Sequence, residues 1–542
     1  MRWRTQWLII GLVVIGLGTM AAATVIHVPL EYTTIQGGIS AAVDGDTVLV
    51  GPGTYRGTGN RDIDFLGKGI LLISEGGPEQ TVIDCDADSL DQHRGFHFHC
   101  GEDSTSEVRG FTIRNGYSTG SGGGILCELS SPTVAGNVVQ GNVAKWGAGI
   151  FSWTAAPIIV GNVIADNTCI ESMLSEGGGI HCESSSGRIE RNTITGNWTF
   201  QGGGIRCYEG SPLILGNTIV GNVAGGDGGA ACCWYCSPII EGNTISGNTG
   251  RDGGALFLYF SSSLVKDNVI VQNSAEYLGG GVVSFADYEP FPTPTLEGNI
   301  IANNEAGQLG GGVFSYGVDT QFWGNTLAGN TADQNGGGVY AFGSEPVITN
   351  CILWDNVPEA MYTQYPWPVV TYSDIEGGWP GTGNIDVDPL FVFADRLDYR
   401  LVWQSPCIDS GHPDSLDPDG TRSDMGAYFF DQDDYLTLYL TPDAIEVAPG
   451  GELGVTYTLI NRWAQPEPFW VVSQAILPNG NPVNVLGPDQ YTLPADFTVQ
   501  RHLSHSVPAG APVGSYRYHS RIGVPPSTLY DEDSFAFTVV PE

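Results

Sequence analysis

The chain has 542 residues, 59 of them acidic against 21 basic, for a formal charge of −38. That balance excludes the cationic footprint that nucleic acids and anionic membrane surfaces require. It suits a soluble surface and leaves room for divalent cations.

The first element is an export signal. Arg2 and Arg4 precede an apolar run from Leu8 to Gly18, and Ala21-Ala22-Ala23 offers a small-residue cleavage site before Thr24. This predicts a signal peptide over residues 1–23 and a secreted or cell-surface protein. No other stretch is long and apolar enough to span a bilayer, so the mature chain is not expected to be an integral membrane protein. In that compartment 11 cysteines suggest disulfides, with at least one thiol left over. Cys127, Cys182, Cys207 and Cys232, however, share one slot of a repeat and read first as small apolar fillers. Cys232-Cys233-x-x-Cys236 lacks a second Cys/His pair at ligand spacing, so it does not read as a metal site.

The repeat runs nine times between Ser121 and Trp354: a glycine-rich triplet, an apolar pair, then Gly-Asn-x4-Asn. Gly136-Asn137, Gly161-Asn162, Gly216-Asn217, Gly242-Asn243, Gly298-Asn299 and Gly324-Asn325 carry it plainly, and Arg191-Asn192, Asp267-Asn268 and Thr349-Asn350 fill the same slot. Successive asparagines lie 25 to 31 residues apart, a period that means a solenoid of stacked coils. Three glycines per unit exclude helical coils. Three residues before the asparagine stand Val134, Ile159, Ile189, Ile214, Ile240, Val265, Leu296, Phe322 and Val347. Two after it stand Val139, Ile164, Ile194, Ile219, Ile245, Ile270, Ile301, Leu327 and Ile352. Apolar, largely β-branched columns in alternating stretches are strands with one buried face, and strands returning once per coil form parallel sheets. The asparagines are read as structural, stacking at the bends and bonding along the stack.

With these columns in place, the chain resembles the right-handed parallel β-helix proteins of the pectin-lyase-like superfamily, from about Thr24 to Tyr428. Ile35-Gln36 through Ala41-Ala42, then Gly45 to Val50 and Gly51 to Tyr55, resemble the family's N-terminal cap, which implies a short amphipathic helix over the first coil. Asp388-Pro389-Leu390-Phe391 through Ser405-Pro406-Cys407 to Met425-Gly426-Ala427-Tyr428 is similar to the closing segment of exported bacterial β-helix proteins. The expected organisation is a β-helix over 24–430, with cap 24–60, repeats about 81–375 and closing segment 376–430. After Phe430 the repeat stops. Short alternating strands such as Leu436–Leu440 and Leu453–Leu459, separated by turn clusters, predict an Ig-like antiparallel β-sandwich over 431–542, with Asp431–Asp434 as hinge. The fold class is all-β.

The strand after each triplet is the place to look for function. If its first and third residues point inward, the second and fourth face solvent. Those outward columns read Leu126, Phe151, His181, Arg206, Ala231, Leu256, Val283, Phe314, Tyr340 and Glu128, Trp153, Glu183, Tyr208, Cys233, Leu258, Phe285, Tyr316, Phe342. Phe151, Trp153, Phe285, Phe314, Tyr316, Tyr340 and Phe342 form a candidate binding face for sugar rings or for a docking partner, unless loops or the segment Met361 to Asp398 cover it. His181, Glu183, Arg206 and Tyr208 form a polar island within it, with Glu128 and Glu176 as neighbours. Inserts at Cys169–Ser175 and Ala286–Thr293 could wall a groove. Such an island could bind an acidic sugar or abstract a proton beside its carboxylate, and an ordinary ion-pair network is the plainer reading.

Departures from the family's enzymes weigh against catalysis. The family's pectin hydrolases carry Asn-Thr-Asp, Asp-Asp, Gly-His-Gly and Arg-Ile-Lys in successive coils, and here Arg188-Ile189 is followed by Glu190. Asp414, Asp417, Asp419 and Asp424 resemble a Ca2+ loop without its full spacing, so tight turns are preferred and no cofactor is expected. The expected function is adhesion or binding of a polysaccharide or cell-surface glycan by an exported bacterial surface protein without catalysis. The alternatives are a lyase or hydrolase of an acidic polysaccharide using His181, Glu183, Arg206 and Tyr208, and an architectural surface component.

Overall fold

The computed structural model describes residues 23–170, 173–289, 291–433, 435–525 and 528–541, so the predicted export signal lies outside the described residues except for Ala23. Each coil of the repeat region has four sides. In one coil, Thr133–Ala135 leads through Gly136-Asn137 into Val138–Gln140, then through Gly141-Asn142 into Val143–Trp146. The triplet Gly147-Ala148-Gly149 turns the chain into Ile150–Trp153. Stacking these coils generates parallel sheets of 14, 13, 9 and 11 strands wound as a right-handed β-helix. The nine-stranded sheet was not anticipated. Strands such as Val223–Ala224 are two residues long, too short to leave an alternating pattern.

The anticipated cap is a helix, Ile35–Ala41, with Thr34 accepting the Gly37 N–H at 3.1 Å. Ile35 and Ile39 are fully buried, and Gly38 lies so near Val28 and Val48 that an added Cβ would clash. The apolar columns fill the interior as predicted, with two corrections near the end. Phe322 pairs with Ile348 rather than Val347, and Leu327 pairs with Leu353 rather than Ile352. The cause is a replaced ladder residue. Cys351, not Asn350, occupies the asparagine slot, receiving the Asn325 N–H on Sγ at 3.4 Å. Asn350 takes the preceding left-handed position at φ 56° and bonds outward to Ser423 and His412 of the closing segment.

Two buried asparagine ladders run the length of the repeats. In the first, from Asn137 to Asn325, each backbone N–H and each Nδ2 donates to the Oδ1 one coil on; for Asn217 and Asn243 these distances are 2.8 and 3.0 Å. The second runs from Asn142 to Asn356 five residues later in every coil, with Asn248 to Asn273 at 3.0 and 2.9 Å. All 11 cysteines are free thiols, and only Cys100 is exposed.

The closing segment packs outside the sheet that follows the Gly-Asn bend. Phe391, Leu397 and Tyr399 meet Val271, Ile300, Ala302 and Ala328, while Leu401, Cys407 and Met425 meet Ile352. It therefore does not cover the aromatic face, and Met361–Gln364 extends that face by one strand. The remaining residues form a β-sandwich. A three-stranded antiparallel sheet (Leu436–Pro442, Glu452–Asn461, Phe497–Ser506) and a five-stranded sheet share one core that includes Val455, Tyr457, Phe469, Val471, Tyr518 and Phe537. The sandwich is tied to the closing segment, where Arg400 bonds Asp533 at 2.6 Å and covers Tyr439, and Gln500 donates to the Val392 carbonyl. No helix among the described residues is long and apolar enough to cross a membrane.

Candidate functional site

The outward face of the post-triplet sheet differs from expectation in register and in burial. Arg206 pairs with Cys232 and Tyr208 with Trp234; Cys232 and Trp234 in turn pair with Phe257 and Tyr259. Ala231, Cys233, Leu256 and Leu258 therefore point inward, and Cys233 rather than Cys232 shares the slot of Cys207. Small residues in Gly228-Gly229-Ala230-Ala231 blur where the triplet ends, which hides the one-residue shift.

The first outward line is buried along its length. Leu126, Phe151, Val283, Phe314 and Tyr340 are all covered, although they point away from the solenoid interior. They lie in a trough between two flanking lines. On one side Leu278 and Leu309 precede the triplets; on the other Phe285 and Tyr316 rise from the second outward line. Solvent meets that second line instead. Phe285, Tyr316 and Phe342 stack in sequence with centroids 4.7 and 5.3 Å apart and planes within 14°. Phe314, Tyr340 and Tyr362 repeat the arrangement beneath.

The polar island sits in the same trough. His181 is 2% exposed and Arg206 0%. Glu176 stands over both: its Oε2 lies 3.5 Å from Arg206 Nε, an ion pair at the limit of hydrogen bonding, and 3.7 Å from His181 Nε2, beyond that limit. Arg206 Nη1 donates to the carbonyls of Cys207 and Cys232, and its guanidinium carbon lies 4.8 Å from the Trp234 ring centre and 5.7 Å from that of Tyr208. This is a cation held beneath aromatic rings. Glu183 and Tyr208 are half-buried on the second line, and burial with Glu176 and Glu209 nearby raises the Glu183 carboxyl. Glu128 does not join the island. Trp153 separates it from Glu183, and its Oε2 bonds His97 Nε2 at 2.8 Å.

Burial, and secondarily the Arg206 charge, push the His181 imidazole down from 6.5 to about 3. The folded value lies below the unfolded one, so the unfolded chain takes up a proton that the native state refuses. Stability from this group is present above pH ~6.5 and is lost as pH falls towards ~3, at up to about 1.4 kcal/mol per pH unit. His181→Phe, a residue the same line carries at Phe151 and Phe314, is expected to remove this acid-sensitive component. Urea midpoints for both proteins at pH 7 and near pH 4.5 test it, and equal acid losses would refute the assignment.

Sequence reasoning missed the aromatic cluster at the second insert. Tyr288 lays its ring 4.1 Å from Phe260 and its hydroxyl 3.1 Å from that of Tyr235, while Tyr259 donates to Asp287 at 3.2 Å. The register shift concealed Tyr259 and Phe260; the Asp287-Tyr288 pair within the insert was the available signal. Asp417, Asp419 and Asp424 use their carboxylates on backbone N–H groups of Asp424, Thr421, Gln432, Asp409 and Phe430, while the Asp414 N–H meets His412 Nδ1. These are turn contacts, and burial lifts Asp424 to about 7.

A family model described as a right handed beta helix region matches residues 55–224 and 199–323. No curated protein matches the chain.

Proposed function

The chain belongs to the right-handed β-helix repeat proteins, and from that premise we propose that it binds a neutral glycan without transforming it, as an exported protein of a bacterial surface. The observation that carries this reading is the return of Tyr288 onto Phe260 and Tyr235. It gathers half-exposed rings, phenolic hydroxyls and the Asp287 carboxylate at one edge of the sheet. Rings that carry polar groups suit the alternating apolar faces and hydroxyls of a sugar.

The stacked ladder itself is a poorer platform, because Phe285, Tyr316 and Phe342 turn their faces towards one another and their edges outward. Contact is better placed at Trp153, Tyr235, Tyr288 and Phe291, which are 40 to 51% exposed. Asp287, Glu289, Glu183 and Glu209 surround these positions, and the one arginine of the island is buried, so a polyanion would be repelled. Catalysis by the island requires a base within reach of substrate, and the burial of His181 opposes that.

Tyr288→Ala is expected to weaken binding of a neutral polysaccharide about 3- to 10-fold, the value of one aromatic contact. Affinity electrophoresis against neutral and uronate polysaccharides measures it. Preference for polyuronates, or release of reducing ends or unsaturated products, would overturn the reading. Absence of binding to any polysaccharide would leave an architectural role.

A further inference from the structure

We propose that Asp64, His99 and Cys100 hold a divalent metal ion of the zinc class, with a fourth position open to solvent. The site lies in the coil before the repeats, outside the aromatic face. The bridge between Ile63 and Phe96 sets these segments side by side, so Asp64 stands beside His99 and Cys100 as they leave the strand Phe96–Phe98. One donor atom from each lies within 4.8 Å of the others, the only such group among the described residues. His99 Nε2 is 3.9 Å from Asp64 Oδ2. Two ligands at about 2.05 Å from a tetrahedral ion stand about 3.4 Å apart, so the His99–Asp64 pair closes by roughly half an ångström and the set of three, within 4.8 Å, by no more than about 1.4 Å.

The ligands are already oriented. His99 Nδ1 faces the His97 carbonyl at 3.4 Å, and its ring stacks on His97 at 4.1 Å, with His97 anchored by Glu128. A proton on Nδ1 leaves the Nε2 lone pair turned to the site, the arrangement that metal-binding histidines use. Asp64 Oδ1 takes the Leu66 N–H at 2.7 Å, which leaves Oδ2 for the ion. The Cys100 backbone is held by Glu102, itself 2% exposed. A nitrogen, a sulfur and a carboxylate oxygen select Zn2+ or Co2+ over Ca2+ or Mg2+. Access is open, since the His99 side chain is 41% exposed and Cys100 is the single exposed thiol of the 11.

That single thiol gives the test. In the native mature chain one cysteine is expected to alkylate rapidly with a maleimide. Saturating Zn2+ should slow it at least tenfold, and a chelator should restore it. Co2+ should give a thiolate-to-metal charge-transfer band that Cys100→Ser abolishes and that His99→Ala weakens at least tenfold in apparent affinity. His99 is exposed and its removal is not expected to unfold the coil, which circular dichroism checks. An alkylation rate indifferent to Zn2+, a Co2+ spectrum without the thiolate band, or a band that survives Cys100→Ser would each overturn the site.

Discussion

Asn243→Ala is expected to lower the unfolding free energy by about 3 to 5 kcal/mol, among the largest effects of any single polar substitution in the chain. Asn243 is 1% exposed, and every polar atom of its side chain is engaged. Oδ1 accepts the Asn217 backbone N–H at 2.8 Å and Nδ2 at 3.0 Å. Its own Nδ2 donates to the Ile214 carbonyl and to Asn268 Oδ1, both at 2.9 Å. Alanine removes a partner from two buried donors of Asn217 and from the Ile214 carbonyl, while Asn268 Oδ1 keeps the Asn243 backbone N–H, and an orphaned group costs about 1 to 3 kcal/mol. Asn243→Asp separates this account from simple loss of volume. It keeps the acceptor but sets a carboxylate oxygen against the Ile214 carbonyl and Asn268 Oδ1, so it is expected to destabilise at least as much as alanine. Thr244→Ala, on the exposed position beside it, should change stability by about 0.5 kcal/mol or less. Urea unfolding by far-UV circular dichroism gives the ranking. A break inside a stack of nearest-neighbour coils should also split the transition into two steps. An Asn243→Asp protein as stable as the parent would show that the ladder carries little of the fold.

That ladder was legible because its chemistry admits few residues. A buried bend that must satisfy a backbone N–H and a carbonyl one coil away needs an amide, and the amide recurs. The same regularity misled where a substitute entered. Cys351 receives the Asn325 N–H in place of an amide oxygen, and the neighbouring Asn350 drew the eye one residue too early. The candidate face was legible as apolar and aromatic, but not its burial. Whether Arg206 meets water depends on Glu176 and Trp234, which belong to neighbouring coils and whose heights no single repeat encodes. The coil holding His97, His99 and Cys100 lacks the glycine triplet, so the repeat pattern does not mark it.

The glycines of the triplet are not equivalent, and Gly310→Ala is expected to destabilise by about 2 to 4 kcal/mol while Gly312→Ala costs about 1 kcal/mol. Gly310 has φ +69°, and a Cβ there would lie 2.7 Å from the Val313 carbonyl oxygen and 2.9 Å from Phe314 Cα, atoms of its own backbone that cannot move aside. Left-handed geometry alone does not demand glycine. In the Gly-Asn bend the same conformation is held by Arg191 at φ 52° and Asp267 at φ 53°, and an added Cβ at Gly136, Gly161 or Gly242 meets nothing within 4 Å. It is the conjunction of positive φ and backbone contact that fixes the first triplet position, which is glycine from Gly122 through Gly336 in every repeat. The third position lacks the positive φ; a Cβ at Gly312 would lie 2.6 Å from the Gly338 carbonyl oxygen of the next coil, a contact between coils that a small shift relieves where Ala230 and Ala255 occupy the same position. Because the triplet aims the chain into the aromatic strand, Gly310→Ala should also disturb the Phe314–Tyr340 and Tyr316–Phe342 stacks. Near-UV circular dichroism should then lose intensity in Gly310→Ala and keep it in Gly312→Ala. Equal stability losses in the two variants would refute the distinction and return the triplet to a general requirement for small residues.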